Sequence, residues 1–399
     1  MIKERMHYIY ADKTKLGVLV VFVILLMINT LGAVNDVPIY RMLQQVFKLS
    51  LFVALVYYSV KVQCIKGVGP LPNTLIVLFC YVLLLYSIFS FFFQNVLVSL
   101  NVLLSFCFFY YIGYKKQVKE KDLYLFFVLT FIISSLKFVF SFMRDLSEYG
   151  DVAGLGGDNL GYMLAILFPA FILFARKKMS IPIIIIAFLL ILFSRKRGAI
   201  IAVSLPFILL MYSFFKMKSR NILVKGLKIL IIMAVLVGLY NVLLNYYDII
   251  LGRFESGDGT SGRALLYMTV FKGWYNSESI LEILFGHGFY STTIITKEKF
   301  GIALYAHSDW LELIYDFGLI GLTIYALILL SLLHYLVQIF RKFRHYLLAY
   351  TSCMIVFVIK SVFSGVYLDA DCVILMSIIG LIIGLVEREK KNNFPILSN

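Results

Sequence analysis

His307 is the side chain in this sequence best suited to acid–base chemistry. It lies in the segment AHSDWLELIYDFGLIGL, where an apolar helix is predicted to begin. The dipole at a helix N-terminus disfavours the imidazolium, so the neutral ring persists and can remove a proton from a hydroxyl. Ser308 and Asp309 are candidates for the helix cap. Glu312 or Asp316 could orient the ring. The alternative is that His307 only caps or orders the preceding loop.

A group of cations is the second chemical feature. Arg195, Lys196 and Arg197 are consecutive, and Arg263 lies in a later polar segment. The planar guanidinium of arginine forms bidentate contacts with phosphate oxygens. These cations therefore indicate a site for a phosphorylated ligand.

Lysines also interrupt the apolar segments, at Lys48, Lys137 and Lys360. Each of them could simply extend its ammonium to the membrane surface, which costs little. Together with the arginines, they instead indicate a positive zone at the depth of the lipid headgroups. The ligand expected in such a zone is a lipid-linked phosphate or pyrophosphate.

A glycine-rich stretch from Gly154 to Gly161 leads into another apolar segment. Asp158 or Asn159 can cap the helix that follows, and the free N–H groups of a helix start can bind an anion or a sugar. The alternative is an ordinary glycine loop with a cap. No GK[ST] follows, so the stretch is not a nucleotide-binding P-loop. We find no HExxH or paired-aspartate motif and no paired spacing among the five cysteines, so no metal or cofactor is expected.

The composition is that of a membrane protein. The chain is 61% hydrophobic and only 15% charged, whereas soluble domains carry about 25% charged residues. The apolar residues occur in blocks long enough to cross about 30 Å of hydrocarbon as helices. The net charge of +15 is explained by basic cytoplasmic loops rather than by binding of nucleic acid.

The blocks predict an all-α, polytopic integral membrane protein with about twelve spans, which form one membrane domain over residues 1–399. Lys and Arg collect in alternate connections, and these basic connections are expected to be cytoplasmic. Both termini are therefore predicted to be cytoplasmic. The predicted spans are 16–34, 43–60, 73–92, 96–114, 122–143, 159–175, 181–194, 198–215, 226–247, 312–337, 346–363 and 370–386.

Two outer segments depart from a simple alternation of spans and short loops. The turn at 194–198 carries three cations on the side where the charge rule expects few, and we interpret this as retention for function. Residues 248–307 form a large external loop between the ninth and tenth predicted spans. Within this loop, one helix is expected from Thr260 or Ser261 through Trp274 and a second from Ser277 to Phe285, ending at Gly286.

In these segments the sequence resembles the O-antigen polymerase and ligase superfamily, which contains the Wzy-type polymerases and the O-antigen ligases. Four elements carry the resemblance, in the same order and on the same predicted face of the membrane, and they cover roughly residues 150–335. They are the Asn159–Gly161 element, the SRxRG-like turn at 194–198, Ser-Gly-Arg at 261–263 followed by a loop helix and Gly-x-Gly at 286–288, and the H-[NS]-x-x-L-x-L-x-x-x-x-G-x-x-G spacing from His307 to Gly321.

The resemblance implies a metal-independent, GT-C-like glycosyltransferase in the bacterial cytoplasmic membrane, with undecaprenyl-pyrophosphate-linked glycans as substrates. It implies that His307 is the base for the acceptor hydroxyl and that Arg195, Arg197 and Arg263 hold the donor pyrophosphate. Asn159, Lys137 and Lys360 are the further expected substrate-binding residues. A chain-length regulator and a flippase of the same pathway are expected partners.

Three functions remain open from the sequence. The first, which we favour, is polymerisation of lipid-linked repeat units into O-antigen or capsular polysaccharide. The second is ligation of the finished glycan to a lipid A core or another acceptor. The third is a flippase for lipid-linked oligosaccharides, which predicts polar residues along a pathway through the middle of the membrane. The charges within the predicted spans are sparse and lie towards one side, which favours an enzyme.

Overall fold

The computed structural model describes residues 2–34, 38–63, 71–88, 93–116, 118–149, 160–194, 196–216 and 263–393. These residues form helices and connecting turns, with no strand among them. The helices are α1 (Ile2–Val34), α2 (Pro38–Gln63), α3 (Leu71–Ser87), α4 (Phe93–Lys115), α5 (Glu120–Tyr149), α6 (Leu160–Leu173), α7 (Ser180–Phe193), α8 (Arg197–Lys216), α9 (Arg263–Tyr275), α10 (Ile280–Phe285), α11 (Thr292–Phe300), α12 (Asp309–Lys342), α13 (Leu347–Phe363) and α14 (Cys372–Asn393).

Several of the described helices are long and apolar enough to cross a membrane. By length and composition, five of these helices can span a bilayer, and several shorter apolar helices accompany them. The five segments are Pro38–Val62, Asn95–Lys115, Glu120–Met143, Asp309–Lys342 and Arg344–Phe363. The prediction of helices only is confirmed for the described residues, and several of these helices are able to cross a membrane, as a multi-pass protein requires. The predicted span at 226–247 lies outside the described residues, and the number of spans and the GT-C likeness stay predictions.

The centre of the bundle is the pair formed by α4 and α14. The apolar window of α4 is 94% buried, and the two helices approach so closely that glycines are needed where they cross. A Cβ at Gly380 would meet the backbone of Phe106, and one at Gly384 would meet the backbone of Tyr110. Small residues let membrane helices pack backbone to backbone, because lipid offers no other strong driving force for association.

A break in α12 forms the junction between the bundle and the large loop. Gly318 has φ 62° and ψ −158°, values outside the helical region, so the helical hydrogen-bond ladder is interrupted there. The carbonyls of Tyr315 and Asp316 instead accept N–H bonds of 2.9 Å each from His287 and Gly288. The Gly-His-Gly segment at 286–288 is therefore a turn that closes onto α12. Gly318 is required for the break, because its φ is unfavourable for other residues.

The loop contains more structure than the sequence predicted. α9 and α10 correspond to the two predicted helices, although α10 begins after the Ser279 cap rather than at Ser277. α11 was not predicted, because TTIITKEKF has no clear amphipathic pattern. The part of the large loop from 248 to 262 lies outside the described residues.

Candidate functional site

His307 lies in a strained turn immediately before α12. Its φ is 55°, a left-handed value that is uncommon for a residue other than glycine. The turn is held on one side by Ala306, whose N–H donates to the Glu312 carboxylate. On the other side the imidazole packs on the Tyr305 ring, with centroids 4.0 Å apart. A strained residue that is fixed by its surroundings is typical of functional sites.

Burial and nearby cations keep the His307 ring neutral. Burial lowers the pKa of His307, and the charges of Arg263, Lys196 and Lys360 lower it further, to about 4. The neutral form was predicted, but the sequence reasoning assigned it to the helix dipole. The cause is instead desolvation together with three cations from distant parts of the chain.

Arg263 is positioned by the end of α13. It is the first residue of α9, and its Nη1 donates to the carbonyl of Phe363 over 2.9 Å. One turn later, the Tyr267 hydroxyl donates to the carbonyl of Val362 over 3.4 Å. The exposed carbonyls at a helix C-terminus thus orient the guanidinium without neutralising it. None of the ion pairs among the described residues involves Arg263, and its charge acts on His307.

Lys360 is also brought to this site, but it carries its own counterion. Its side chain is fully buried, and Nζ lies 2.6 Å from the Asp369 carboxylate and 3.3 Å from the Ser364 hydroxyl. The ammonium also lies 4.8 Å from the centroid of the Tyr162 ring. Extension to the membrane surface is therefore wrong for this lysine. The ion pair makes Lys360 a fixed part of the wall of the site.

The turn at 194–198 packs directly on the start of α6. A Cβ at Gly161 would meet the side chains of Ser194 and Lys196, and a Cβ at Gly198 would meet the Tyr162 hydroxyl. Both glycines are therefore needed for this approach, which brings Lys196 to the histidine. Two predicted elements of the site thus lie side by side.

Three predicted site residues lie wholly or partly outside the described structure. Asn159 and Arg195 lie outside the described residues. Arg197 is the first residue of α8, but its side chain is outside the described part of the chain. Their roles stay predictions.

Three carboxylates at the start of α12 anchor the segments around the site. Asp309, Glu312 and Asp316 are 0%, 1% and 0% exposed. Asp309 accepts from the Val366 N–H at 2.8 and 2.9 Å and from the Tyr325 hydroxyl at 2.5 Å. It therefore fixes the turn between α13 and α14. Ser308 occupies the cap position of α12 but makes no capping bond with its side chain.

The other two carboxylates hold the loop before His307. Glu312 accepts from Ala306 N–H and from the Thr292 hydroxyl. Asp316 accepts from the backbone N–H of Tyr290 at 2.7 Å and from that of Thr292 at 3.2 Å. Neither Glu312 nor Asp316 therefore serves as the ring partner considered from the sequence. Glu312 positions the backbone of the turn instead.

The remaining two lysines of the predicted positive zone lie elsewhere. Lys137 interacts electrostatically with Asp371, and it is not among the cations that act on His307. Lys48 lines a separate cavity together with Asp371. The zone predicted as one is therefore divided between two places in the described structure.

Some residues of the site were missed from the sequence. Tyr305, Tyr162 and Asp369 contact His307 or Lys360, yet each is an ordinary residue next to a motif. The only available signal was adjacency, since Tyr162 directly follows Gly161 and Tyr305 lies two residues before His307. Among the described residues, no group of three or more His, Cys, Asp and Glu side chains could hold a metal ion.

Comparison with known families supports the resemblance. Residues 182–326 match the family model described as O-antigen ligase. The matched region includes the 194–198 turn, Arg263 and the segment from His307 to Gly321, which are the elements that meet in the structure. The match thus supports the O-antigen polymerase and ligase superfamily. No curated protein matches the chain.

Proposed function

We propose that this chain, which carries an O-antigen ligase family domain at residues 182–326, is a membrane glycosyltransferase that polymerises polysaccharide repeat units. In this proposal the substrates are undecaprenyl-pyrophosphate-linked glycans, and the reaction takes place at the outer face of the bacterial cytoplasmic membrane. Both termini face the cytoplasm. A flippase supplies the lipid-linked units, and a chain-length regulator is a further partner.

The observation that carries the proposal is a neutral imidazole surrounded by cations. His307 is held beside Arg263, Lys196 and Lys360, a group of residues that we call the cationic pocket. A base and an anion-binding group therefore lie next to each other. Displacement of a pyrophosphate from a sugar requires both functions, because a hydroxyl proton must be removed while negative charge grows on the leaving group.

The transfer is a single displacement. The hydroxyl oxygen of the acceptor sugar bonds to the anomeric carbon of the donor, and the bond from that carbon to the pyrophosphate oxygen breaks. The electron pair of the broken bond stays on the lipid pyrophosphate, where Arg263 and Lys196 stabilise it. His307 takes the hydroxyl proton, and the anomeric configuration inverts.

The same cations couple the base to the donor. In the free protein they lower the pKa of His307, so the imidazole is a weak base. A bound pyrophosphate brings negative charge that offsets these cations, so the pKa of His307 rises when the donor is present. The base is thereby strongest when there is a donor to attack.

Ligation is the second candidate, because the matching family is described as O-antigen ligase. The pocket for the base and the pyrophosphate serves polymerisation and ligation equally well. The acceptor distinguishes them, since it is a lipid-linked repeat unit in polymerisation and a lipid A core in ligation.

The proposal is tested with the purified full-length protein in nanodiscs and a lipid-linked repeat unit as donor. We expect His307→Gln to lower the rate of chain formation by about 10²–10⁴-fold, the usual contribution of a general base. His287→Gln is the matched control, because His287 is a second loop histidine that bonds to Ser277 over 3.0 Å outside the cationic pocket. A lipid A core glycolipid, offered as the alternative acceptor, distinguishes ligation from polymerisation.

Two results would overturn the proposal. Equal rates for His307→Gln and the unmodified protein would show that His307 is not the general base. Movement of lipid-linked oligosaccharide across a bilayer without any new glycosidic bond would favour a flippase.

A further inference from the structure

A second polar site lies within the bundle, apart from His307. A cavity between α1, α2, α4 and the turn before α14 contains about 470 Å³ of empty space, including its open mouth. Its polar lining comes from Asn29, Lys48, Asn101 and Asp371. The cavity therefore brings polar side chains from four separate parts of the chain together inside an otherwise apolar bundle.

Asn101 is the residue that makes this cavity more than a packing gap. It is 3% exposed, and its Nδ2 donates to the carbonyl of Lys48 over 3.1 Å. Its Oδ1 is buried and accepts no hydrogen bond from the described residues. A buried polar atom without a partner costs about 1–3 kcal/mol. Asn101 thus brings an acceptor without a partner among the described residues to the wall of the cavity.

The lining mixes groups that only donate with groups that only accept. The ammonium of Lys48 only donates, whereas the carboxylate of Asp371 and Oδ1 of Asn101 only accept. A phosphate only accepts, so it would satisfy Lys48 and be repelled by Asp371. A hydroxyl both donates and accepts and can satisfy all of them. The chemistry of the cavity therefore fits a sugar.

The apolar part of the lining fits the rest of a glycolipid. Phe22, Leu25 and Leu51 face the same cavity, and such side chains pack against the C–H faces of a sugar or the first carbons of a lipid chain. The lining thus offers polar contacts for a sugar next to apolar contacts for a lipid.

A chain of contacts connects this cavity to the cationic pocket. The N–H of Asp371 donates to the Asp369 carboxylate over 3.0 Å, and Asp369 is the counterion of Lys360. Lys360 in turn acts on His307. The two sites therefore share a wall, which is the turn between α13 and α14.

We propose that this cavity binds a sugar of the lipid-linked acceptor, an assignment that rests on the proposed transfer reaction. Asn101 and Asp371 accept hydrogen bonds from the sugar hydroxyls, and Lys48 donates to a hydroxyl oxygen. The shared wall then places the next sugar of the acceptor towards His307. The cavity selects the acceptor, and the cationic pocket selects the donor.

Binding is tested first without catalysis, using dodecyl maltoside as the probe on the full-length protein in nanodiscs. We expect Asn101→Leu to weaken binding of the alkyl glycoside about tenfold, the effect of losing one hydrogen bond. Asn73→Leu is the matched control, because Asn73 is also a buried asparagine without a described partner but does not line the cavity. Lys48→Met provides a second variant in case Asn101→Leu does not fold.

Two binding results would overturn the assignment. Dodecyl phosphate binding as tightly as dodecyl maltoside would make this an anion site. Equal affinities for the alkyl glycoside in Asn101→Leu and Asn73→Leu would show that the cavity is not the binding site.

Catalysis separates this inference from the proposed function. We expect Asn101→Leu to raise the KM for the acceptor about tenfold and to leave the KM for the donor unchanged. We expect His307→Gln to lower transfer by about 10²–10⁴-fold and to leave alkyl glycoside binding intact. If transfer depends on His307 but the protein does not bind the alkyl glycoside, only the acceptor site is rejected. If the protein binds the alkyl glycoside through Asn101 but catalyses no transfer, the proposed reaction is rejected.

Discussion

The acidic and the basic side chains on the two sides of the His307 turn differ in how their charges are compensated. On one side, Glu312 and Asp316 are buried at the start of α12, and backbone N–H and hydroxyl groups of the loop donate to both. On the other side, Arg263 donates to a carbonyl, which orients its charge but does not cancel it. The carboxylates use their hydrogen-bonding capacity within the protein, whereas the positive charge of the guanidinium can act on a ligand.

This contrast separates structural from functional charge without knowledge of the ligand. A buried charge whose hydrogen bonds are complete stabilises the structure and has little left to bind. A charge held in place without a counterion has an electrostatic cost that a bound anion would remove. Lys360 belongs to the structural group, because Asp369 pairs with it.

The largest effect is expected from Glu312→Ala. The substitution leaves the Ala306 N–H and the Thr292 hydroxyl without their acceptor, and each unpaired buried donor costs about 1–3 kcal/mol. We therefore expect a loss of about 2–6 kcal/mol in the free energy of unfolding, and loss of transfer because the His307 turn is released. Unfolding of the purified protein in nanodiscs measures the first, and chain formation measures the second.

Glu312→Gln is the matched control for that prediction. The amide keeps one oxygen that can accept from Ala306, so we expect about 1 kcal/mol of destabilisation and partial activity. An unfolding free energy for Glu312→Ala within experimental error of the unmodified protein would place Glu312 outside the structural group.

The second prediction concerns the opposite side of the comparison. Arg263→Ala removes a cation that is oriented by the end of α13 and has no acidic partner among the described residues. Loss of one preorganised group that stabilises developing charge costs about 10²–10³-fold in rate. We expect this loss in transfer, with little change in stability. Arg263→Lys should recover only part of it, because lysine lacks the planar fork.

Lys272→Ala is the control for this experiment, because Lys272 is an exposed cation on the same helix. Its removal should leave both transfer and stability unchanged. If Arg263→Ala lost stability as Glu312→Ala does, while transfer per folded molecule stayed normal, the division between the two sides would fail.

The distinction between structural and functional charges could be predicted only in part from the sequence. Helices and spans follow from apolar blocks, so most of the bundle could be predicted. The convergence of His307, Arg263 and the 194–198 turn also followed, because a resemblance to one family fixes their relative placement. The pairing of Lys360 with Asp369 could not be predicted, since it depends on the conformation of the turn between α13 and α14 rather than on any helical spacing.

The roles of the carboxylates show the same limit. Glu312 and Asp316 lie five and nine residues after His307, and this spacing suggested contact with the ring. The structure turns the histidine away through its left-handed φ of 55°, so both carboxylates meet the backbone of the loop instead. A backbone conformation of this kind has no signature in a residue that is not glycine.

The third prediction tests the backbone that joins the two sides. Gly318→Ala places a Cβ against the backbone of Leu284, at a residue whose φ of 62° already disfavours a side chain. We expect about 1–3 kcal/mol of destabilisation from strain in this conformation. The effect on transfer should be smaller than that of Arg263→Ala. Gly17→Ala is the control, because its added Cβ meets no atom within 4 Å.

Two measurements locate the consequence of Gly318→Ala. Thermal unfolding should show the strain, and protease cleavage within 280–290 should increase if the Gly-His-Gly turn has left α12. Wild-type stability together with wild-type protection of that turn would mean that the break in α12 does not depend on glycine.

The smallest effect is a shift in pH dependence, and it tests the cations as a group. The pKa of His307 is lowered from 6.5 to about 4, first by burial and then by the cations. Protonation removes the base, so kcat/KM should fall as the pH decreases through about 4. Lys196→Met removes one positive charge, which stabilises the imidazolium, so the acid limb should move to higher pH.

The donor supplies an internal control for this last prediction. The limb of kcat/KM reports the free protein, whereas that of kcat reports the complex. Because bound pyrophosphate offsets the cations, the limb of kcat should lie at higher pH than that of kcat/KM, and Lys196→Met should narrow the gap between them. Rates measured from about pH 3 to 8, with recovery of activity checked at neutral pH, distinguish titration from unfolding. If the acid limbs of kcat and kcat/KM coincide in both the unmodified protein and Lys196→Met, bound donor does not change the pKa of His307. The cations around His307 would then have no role in coupling the base to the donor.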